Sequence, residues 1–362
     1  MSKRSKAIRE ALEEEEVTES KAFVASDYLS SGSTMLNLAL TDHPNGAFRK
    51  GCYYYLVGDS SSGKTFLSCT CLAEAAHNPA FKNHRFIFDD VENGALMDME
   101  KFFGKKMAER LEAPRVIKKE NVFSSTIEDF YFHIDDAIED GRPFIYVLDS
   151  MDCLTSEKES TEFNSNKKKV RAGKVQDGSY GDGKAKKNSS GMRTLVNRLK
   201  KTDSILIVIS QTRDNLGFGH ETKTRSGGKA LKFYATCEIW SSILGKIEKG
   251  VKGKKRNIGK NIQLQTKKNR QTGREGKVET PIYPSYGIDD MEACINYLIE
   301  EDHWVSSGQK IKAPELDFEG SQKKLIEKIE SEDLESKVRK LVGKIWNDIN
   351  DACALKRKPR YE

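Results

Sequence analysis

Four short apolar runs, the last three closing on polar residues, recur through the first two thirds of the chain: "CYYYLV" at 52–57, "RFIFDD" at 85–90, "FIYVLDS" at 144–150 and "SILIVISQ" at 204–211. Their apolar residues are not interrupted at every second position, which is the pattern of strands buried on both faces. Between them lie helical segments, among them "KTFLSCTCLAEAAHN" at 64–78 and "TIEDFYFHIDDAIED" at 126–140. Strands alternating with helices predict an α/β fold, a mostly parallel sheet flanked by helices.

Two stretches depart from that pattern. Residues 155–190 are polar and rich in Gly, Ser and Lys, and predict a long mobile loop; residues 212–228 predict a second, Gly-rich loop directly after a buried strand. The first twenty or so residues read as a charged helix with too little apolar surface to stand alone, basic in "KRSKAIR" and acidic in "EEEE". After about Glu300 the composition shifts to Lys/Glu-rich helix carrying Trp304 and Trp346. The expected division is an N-terminal helix or oligomerisation segment over 1–27, a core over 28–300 and a small C-terminal domain over 301–362, with no internal repeat.

Charge changes this picture through its distribution. With 61 basic and 55 acidic residues in 362, the chain is only mildly basic at +6. Between Gly245 and Lys277, however, Lys and Arg dominate and only Glu248 and Glu275 oppose them. Such a run predicts a polyanion partner, with a solvated basic face as the structural alternative. The seven cysteines are scattered, Cys69 and Cys71 are too close for a CxxC pair, and no His stands at ligand spacing. A structural zinc site is therefore not expected, and free thiols fit a reducing interior. No apolar run approaches membrane-spanning length, and the N-terminus lacks a signal peptide's apolar core. The expectation is a soluble, cytoplasmic protein without a membrane partner.

"GDSSSGKT", residues 58–65, fits G-x-x-x-x-G-K-[ST] with a strand before it and a helix after it. Gly58 and Gly63 let the backbone wrap, so that N–H groups of Asp59, Ser60, Ser61 and Ser62 face phosphate oxygens, helped by the positive end of the helix. Lys64 reaches the outer phosphates, and the Thr65 hydroxyl holds Mg²⁺. A Mg-nucleotide site also needs a carboxylate on a neighbouring strand, and Asp149 closes "FIYVLDS" in that role, or caps the following turn. Asp89, Asp90 and Glu92 end another strand and are candidates to orient an attacking water. Gln211 ends "SILIVISQ" and is a candidate γ-phosphate sensor or simply a polar strand end. Lys268 and Arg270 in "TKKNRQ" are candidate cations for the phosphates, across a subunit interface.

Residues 210–240 carry a family resemblance. "SGGKALKFYA" at 226–235 resembles the segment that follows the second DNA loop of the RecA recombinases. "LSSGSTMLNLAL" at 29–40 resembles the start of the RecA core, "FDDVENGAL" the strand end with the catalytic glutamate, and "VLDSMDCL" the Walker B strand. "HWVSSGQKI" and the helix after it are similar to the small C-terminal domain. The resemblance implies a RecA-type P-loop ATPase core with a small C-terminal α/β domain. It selects Glu92 as the residue that orients water, assigns Gln211 as the switch to the second loop, and gives Lys268 and Arg270 to the neighbouring subunit's ATP, with Phe233 meeting that subunit. Arg213, Lys223, Arg225, Gly227 and Gly228 become candidate contacts to single-stranded DNA, while 155–190 occupies the place of the first DNA loop. Position 270 is Arg where the family commonly has Lys. The divergence is of the degree found in phage-encoded recombinases.

The implied function is an ATP- and Mg²⁺-dependent recombination protein that forms helical filaments on single-stranded DNA, with ATP at subunit interfaces, and pairs it with homologous duplex DNA. A ring-forming DNA helicase of the same core fold, or an accessory ATP-binding protein that exchanges no strands, are the alternatives.

Overall fold

The central strands send alternate side chains into two separate buried clusters. In the computed structural model, which describes residues 24–172, 184–214, 223–225 and 228–357, strand β1 (Tyr53–Gly58) places Tyr54 and Leu56 in one cluster and Tyr53, Tyr55 and Val57 in the other. Both faces of the sheet are covered, and for that reason the runs are apolar at consecutive positions.

After β1 come helix α2 (Lys64–His77), β2 (Arg85–Asp90), β3 (Leu111–Glu112), α3 (Ile127–Glu139) and β4 (Phe144–Asp149). Then follow α4 (Glu157–Arg171), α5 (Lys184–Lys201), β5 (Ile205–Asp214), β6 (Lys223–Arg225) and α6 (Lys229–Tyr234). Four more strands close the sheet: β7 (Cys237–Val251), β8 (Lys254–Asn269), β9 (Gly276–Tyr283) and β10 (Gly287–Ile288). The sheet order is β10-β9-β8-β7-β1-β5-β4-β2-β3. From β7 to β3 every pairing is parallel, and from β7 outward to β10 every pairing is antiparallel. The α/β fold with a mostly parallel centre is as predicted; the antiparallel wing over 237–288 is an addition to it.

One face of the sheet carries α2 and the earlier α1 (Thr34–Thr41), with Leu36, Leu38, Leu67 and Leu72 buried against Ile145, Val147, Ile207 and Ile209. The other face carries α3 and α5, with Phe130, Ile134, Leu195 and Leu199 against Tyr146, Leu148, Leu206 and Val208.

The long loop expected over 155–190 is corrected. Its flanks are the helices α4 and α5, and only 173–183 lie outside the described residues. Ser156 and Glu159 form a reciprocal capping box that starts α4, and α5 buries Asn188, Met192, Leu195 and Leu199 along one side. Part of the second expected loop is also strand. β5 runs on to Asp214 and pairs with β6 through Thr212–Arg225, Arg213–Thr224 and Asp214–Lys223. The expected N-terminal helix and Gly227 lie outside the described residues.

Toward the C-terminus, α7 (Asp290–Glu300) leads to a three-stranded sheet of β11 (Val305–Ser307), β12 (Lys310–Ala313) and β13 (Phe318–Gly320), then α8 (Gln322–Ser331) and α9 (Glu335–Cys353). Trp304 is buried and donates its indole N–H to Glu315 at 2.8 Å. The Trp346 N–H donates to Asp42 at 3.0 Å, and its ring lies 5.8 Å from that of Tyr297. These residues belong to the same buried cluster as α1 and α2. Among the described residues no helix is long and apolar enough to cross a membrane.

Candidate nucleotide and nucleic-acid site

β1 delivers the chain to its carboxyl edge at Gly58, and α2 starts at Lys64. The turn between them is tight for two reasons. Strand β7 approaches so closely that a Cβ at Gly58 would stand 2.3 Å from the Ser241 carbonyl oxygen, and Gly63 caps α2 at φ 88°, a conformation open to glycine. The Ser241 hydroxyl donates to the Ser62 carbonyl at 2.6 Å and holds the loop from behind. The first N–H groups of α2 thus face an open cleft of about 290 Å³, bounded by Ser60 to Thr65 together with Glu92, Asp149 and Gln211. Lys64 is buried beneath it, its ammonium donating to the Gly58 and Asp59 carbonyls at 2.9 and 2.7 Å. Burial pulls the Lys64 pKa down, opposed by the charges of Asp149, Glu92 and Asp59.

The two residues expected at the metal meet. Thr65 Oγ1 donates to Asp149 Oδ2 at 2.5 Å. The Asp149 carboxyl, almost fully buried, is pushed up to about 6 by burial, with repulsion from Glu92 and Asp90 adding to it. A desolvated carboxylate beside a hydroxyl and a phosphate-binding turn fits a hard divalent cation such as Mg²⁺, which compensates that charge.

The three carboxylates at the end of β2 have different surroundings. Asp89 accepts from the Ser124 N–H, the Ser124 hydroxyl and the Tyr146 hydroxyl at 2.9, 2.6 and 2.7 Å and is fully buried. Asp90 accepts from the Gly94 and Ala95 N–H groups and closes the turn. Glu92 faces the cleft, its Oε1 accepting from the Ser150 hydroxyl at 2.5 Å and the Gln211 amide at 3.0 Å. The Gln211 backbone N–H in turn donates to Asp152 at 2.7 Å. One residue further along β5, the Thr212 hydroxyl donates to Asp59 of the phosphate loop. The strand that enters the second loop is therefore bonded to both walls of the cleft.

Lys268 and Arg270 are not in this cleft. The Lys268 ammonium donates to the Lys232 and Phe233 carbonyls at 2.7 and 2.8 Å, and Arg270 donates to the Phe233 carbonyl at 2.8 Å, so both cap the end of α6. Lys268 pairs with Glu238 on β7, which stands opposite Tyr55 of β1, three residues before Gly58. At about 3.3 Å per residue that is roughly 10 Å along the strands from the phosphate loop, and β8 lies two strands across from β1. Burial and the adjacent Arg270 pull the Lys268 pKa down to about 8. Phe233, 63% exposed, stands beside them. Gly228 is the turn that starts α6, where a Cβ would meet Ala185 of α5 at 3.0 Å. The backbones of Arg213, Lys223 and Arg225 are strand, and their side chains lie outside the described residues.

The basic run takes the form of an arm. β7 leaves β1 at Ser241 and continues to Val251, paired only with β8, so about ten residues, roughly 30 Å, extend past the carboxyl edge that holds the phosphate loop and Gln211. Its outer part exposes Lys246, Lys249, Lys252, Lys254, Lys255 and Arg256, opposed by Glu248 alone.

The RecA N-terminal domain model matches residues 15–289, most of the chain. The chain belongs to the RecA family. It is 27% identical over 275 residues to Protein RecA of Lactococcus lactis subsp. cremoris (strain MG1363), covering 75% of this chain and 64% of that protein. It is 28% identical over 282 residues to Protein RecA of Cytophaga hutchinsonii, covering 75% and 68%. With Protein RecA of Colwellia psychrerythraea it shares 25% identity over 286 residues, covering 77% and 72%. The chain thus spans just under two thirds of the Lactococcus relative's length, at 64%. Within the RecA core, sequence reasoning missed Ser150, Asp152, Ser241 and the Thr212–Asp59 contact. Ser150 and Asp152 directly follow Asp149 in "DSMD", which is a usable signal; Ser241 and Thr212 become legible only once strands are paired.

Proposed function

We propose that this chain is a DNA-dependent ATPase that assembles as a helical filament on single-stranded DNA and promotes pairing and strand exchange with homologous duplex DNA. The observation that carries the reading is the Glu92–Gln211 hydrogen bond at 3.0 Å, because it joins the one cleft-facing carboxylate of the β2 end to the strand entering the second loop. In this reading the phosphates lie on the α2 N-terminus and Lys64, and Thr65 with Asp149 holds Mg²⁺, which screens phosphate charge when bound. Glu92 orients the attacking water and takes its proton. Gln211 exchanges its Glu92 contact for the γ-phosphate, and β5 carries that change into 212–228, where Arg213, Lys223 and Arg225 meet single-stranded DNA. Lys268, Arg270 and Phe233, which face away from their own cleft, serve the neighbouring protomer's ATP. The basic arm supports a polyanion partner on the same edge.

The test is negative-stain microscopy of the purified chain with single-stranded DNA and a non-hydrolysable ATP analogue. Open helical filaments that require the nucleotide, and that Lys64→Ala abolishes, are the expected result. Closed rings, or protein that binds ATP and stays unassembled, overturn it.

A further inference from the structure

Lys260 stands where two clefts join. One is the phosphate cleft already described. The other, about 320 Å³, is apolar and lined by Phe66, Met97, Phe102, Ile262, Ile282 and Pro284; Lys260 borders both. Strand β8 holds it there, opposite Lys246 on β7 and Ile282 on β9. The wall is close to the loop, since a Cβ at Gly63 would stand 2.7 Å from Ile282 Cδ1. The Lys260 ammonium donates to the Ser61 carbonyl at 3.2 Å, and among the described residues it forms no ion pair. A half-buried cation resting on a single loop carbonyl, beside backbone N–H groups arranged for an anion, lacks a charge partner of its own.

We propose that Lys260 is a second same-chain phosphate ligand, acting on the nucleotide from the side opposite Lys64. This rests on the reading of the site as nucleotide-binding. With phosphates on the α2 N-terminus and the base in the apolar cleft, the junction falls beside the phosphates nearest the sugar. Lys260 therefore contributes to ADP and ATP alike, whereas the Gln211 contact distinguishes the γ-phosphate. The ammonium moves from the Ser61 carbonyl to a phosphate oxygen, exchanging a neutral acceptor for a charged one.

Calorimetric titration of ATP and ADP into the unaltered chain, Lys260→Met and Lys260→Arg tests this. Loss of one charge-assisted contact corresponds to roughly tenfold to hundredfold weaker binding. Lys260→Met is expected to weaken both nucleotides by that factor, and Lys260→Arg to stay within about threefold of the unaltered chain, with unchanged thermal unfolding of all three proteins without nucleotide. ATP and ADP binding unaffected by Lys260→Met, or Lys260→Arg as weak as Lys260→Met, overturns the assignment. An unaltered chain that binds neither nucleotide overturns instead the nucleotide reading on which it rests.

Discussion

The side-chain amide of Gln211 donates to Glu92 Oε1 at 3.0 Å, joining the ends of two strands that are not neighbours in the sheet. Between them lies β4, and Ser150, the residue directly after it, also donates to Glu92. Glu92, Ser150 and Gln211 thus form a hydrogen-bonded line across the carboxyl edge to the strand that runs on to Asp214.

Gln211→Ala removes the link, and with it the proposed γ-phosphate contact, while leaving Lys64, Thr65 and the α2 N-terminus in place. ADP affinity is expected to stay within about threefold of the unaltered chain, while stimulation of hydrolysis by single-stranded DNA disappears. Retained stimulation in a steady-state ATPase assay refutes the coupling.

Glu92→Gln keeps the shape and the Ser150 contact but cannot take a proton. Hydrolysis is expected to fall by about 10²–10⁴-fold, leaving filaments on single-stranded DNA that persist with ATP itself. Wild-type turnover by this variant excludes Glu92 from the chemistry.

Asp149 carries a pH signature in metal-free protein. Its carboxyl is raised from 3.8 to about 6 by burial first and by Glu92 and Asp90 second. A raised carboxyl contributes stability that is fully present below the unfolded value and lost as pH rises through the folded one. At pH 7.5 without metal the ionised group therefore costs up to about 3 kcal/mol. Asp149→Asn should unfold at a higher temperature than the unaltered chain in EDTA at pH 7.5, with the gap narrowing toward pH 5. Identical melting at pH 7.5 contradicts this.

Lys268 titrates in the opposite sense. Burial and Arg270 pull its pKa down to about 8, so its charge is lost as pH rises through that value. If the charge serves a neighbouring protomer's ATP, DNA-stimulated ATPase falls above pH 8. Lys268→Arg, charged throughout, then extends the plateau upward, and identical profiles for the two proteins count against the role.

Gly58→Ala tests the packing behind the phosphate loop. The added methyl would stand 2.3 Å from the Ser241 carbonyl oxygen, so β1 and β7 must separate. A loss of about 1–3 kcal/mol in denaturant unfolding is expected, together with weaker ATP binding. Unchanged stability would mean that the two strands part without cost.

The strands β1, β2, β4 and β5 and the helices α2 and α3 were legible because each must bury apolar surface at its own period. The phosphate loop was legible because G-x-x-x-x-G-K-[ST] is a local solution to wrapping an anion. The helices α4 and α5 were not, since "SEKE" and the Met192, Leu195 and Leu199 stripe are short signals inside a polar stretch. β7 and β8 were also unseen beyond the sheet, because a two-stranded arm satisfies its backbone by pairing and needs no apolar face there.

By itself, then, the sequence determined the α/β class, the order of the central strands' polar ends and the residues of the phosphate turn, since these follow from local periodicity and local backbone geometry. Only the tertiary structure decided which carboxylate faces the cleft. Asp89, Asp90 and Glu92 lie within four residues of chain and are chemically alike, but Ser124 and Tyr146 occupy the first, a turn occupies the second, and the third is left to Ser150 and Gln211. Those partners come from distant segments, and their position relative to β2 is set by strand pairing that no local pattern encodes.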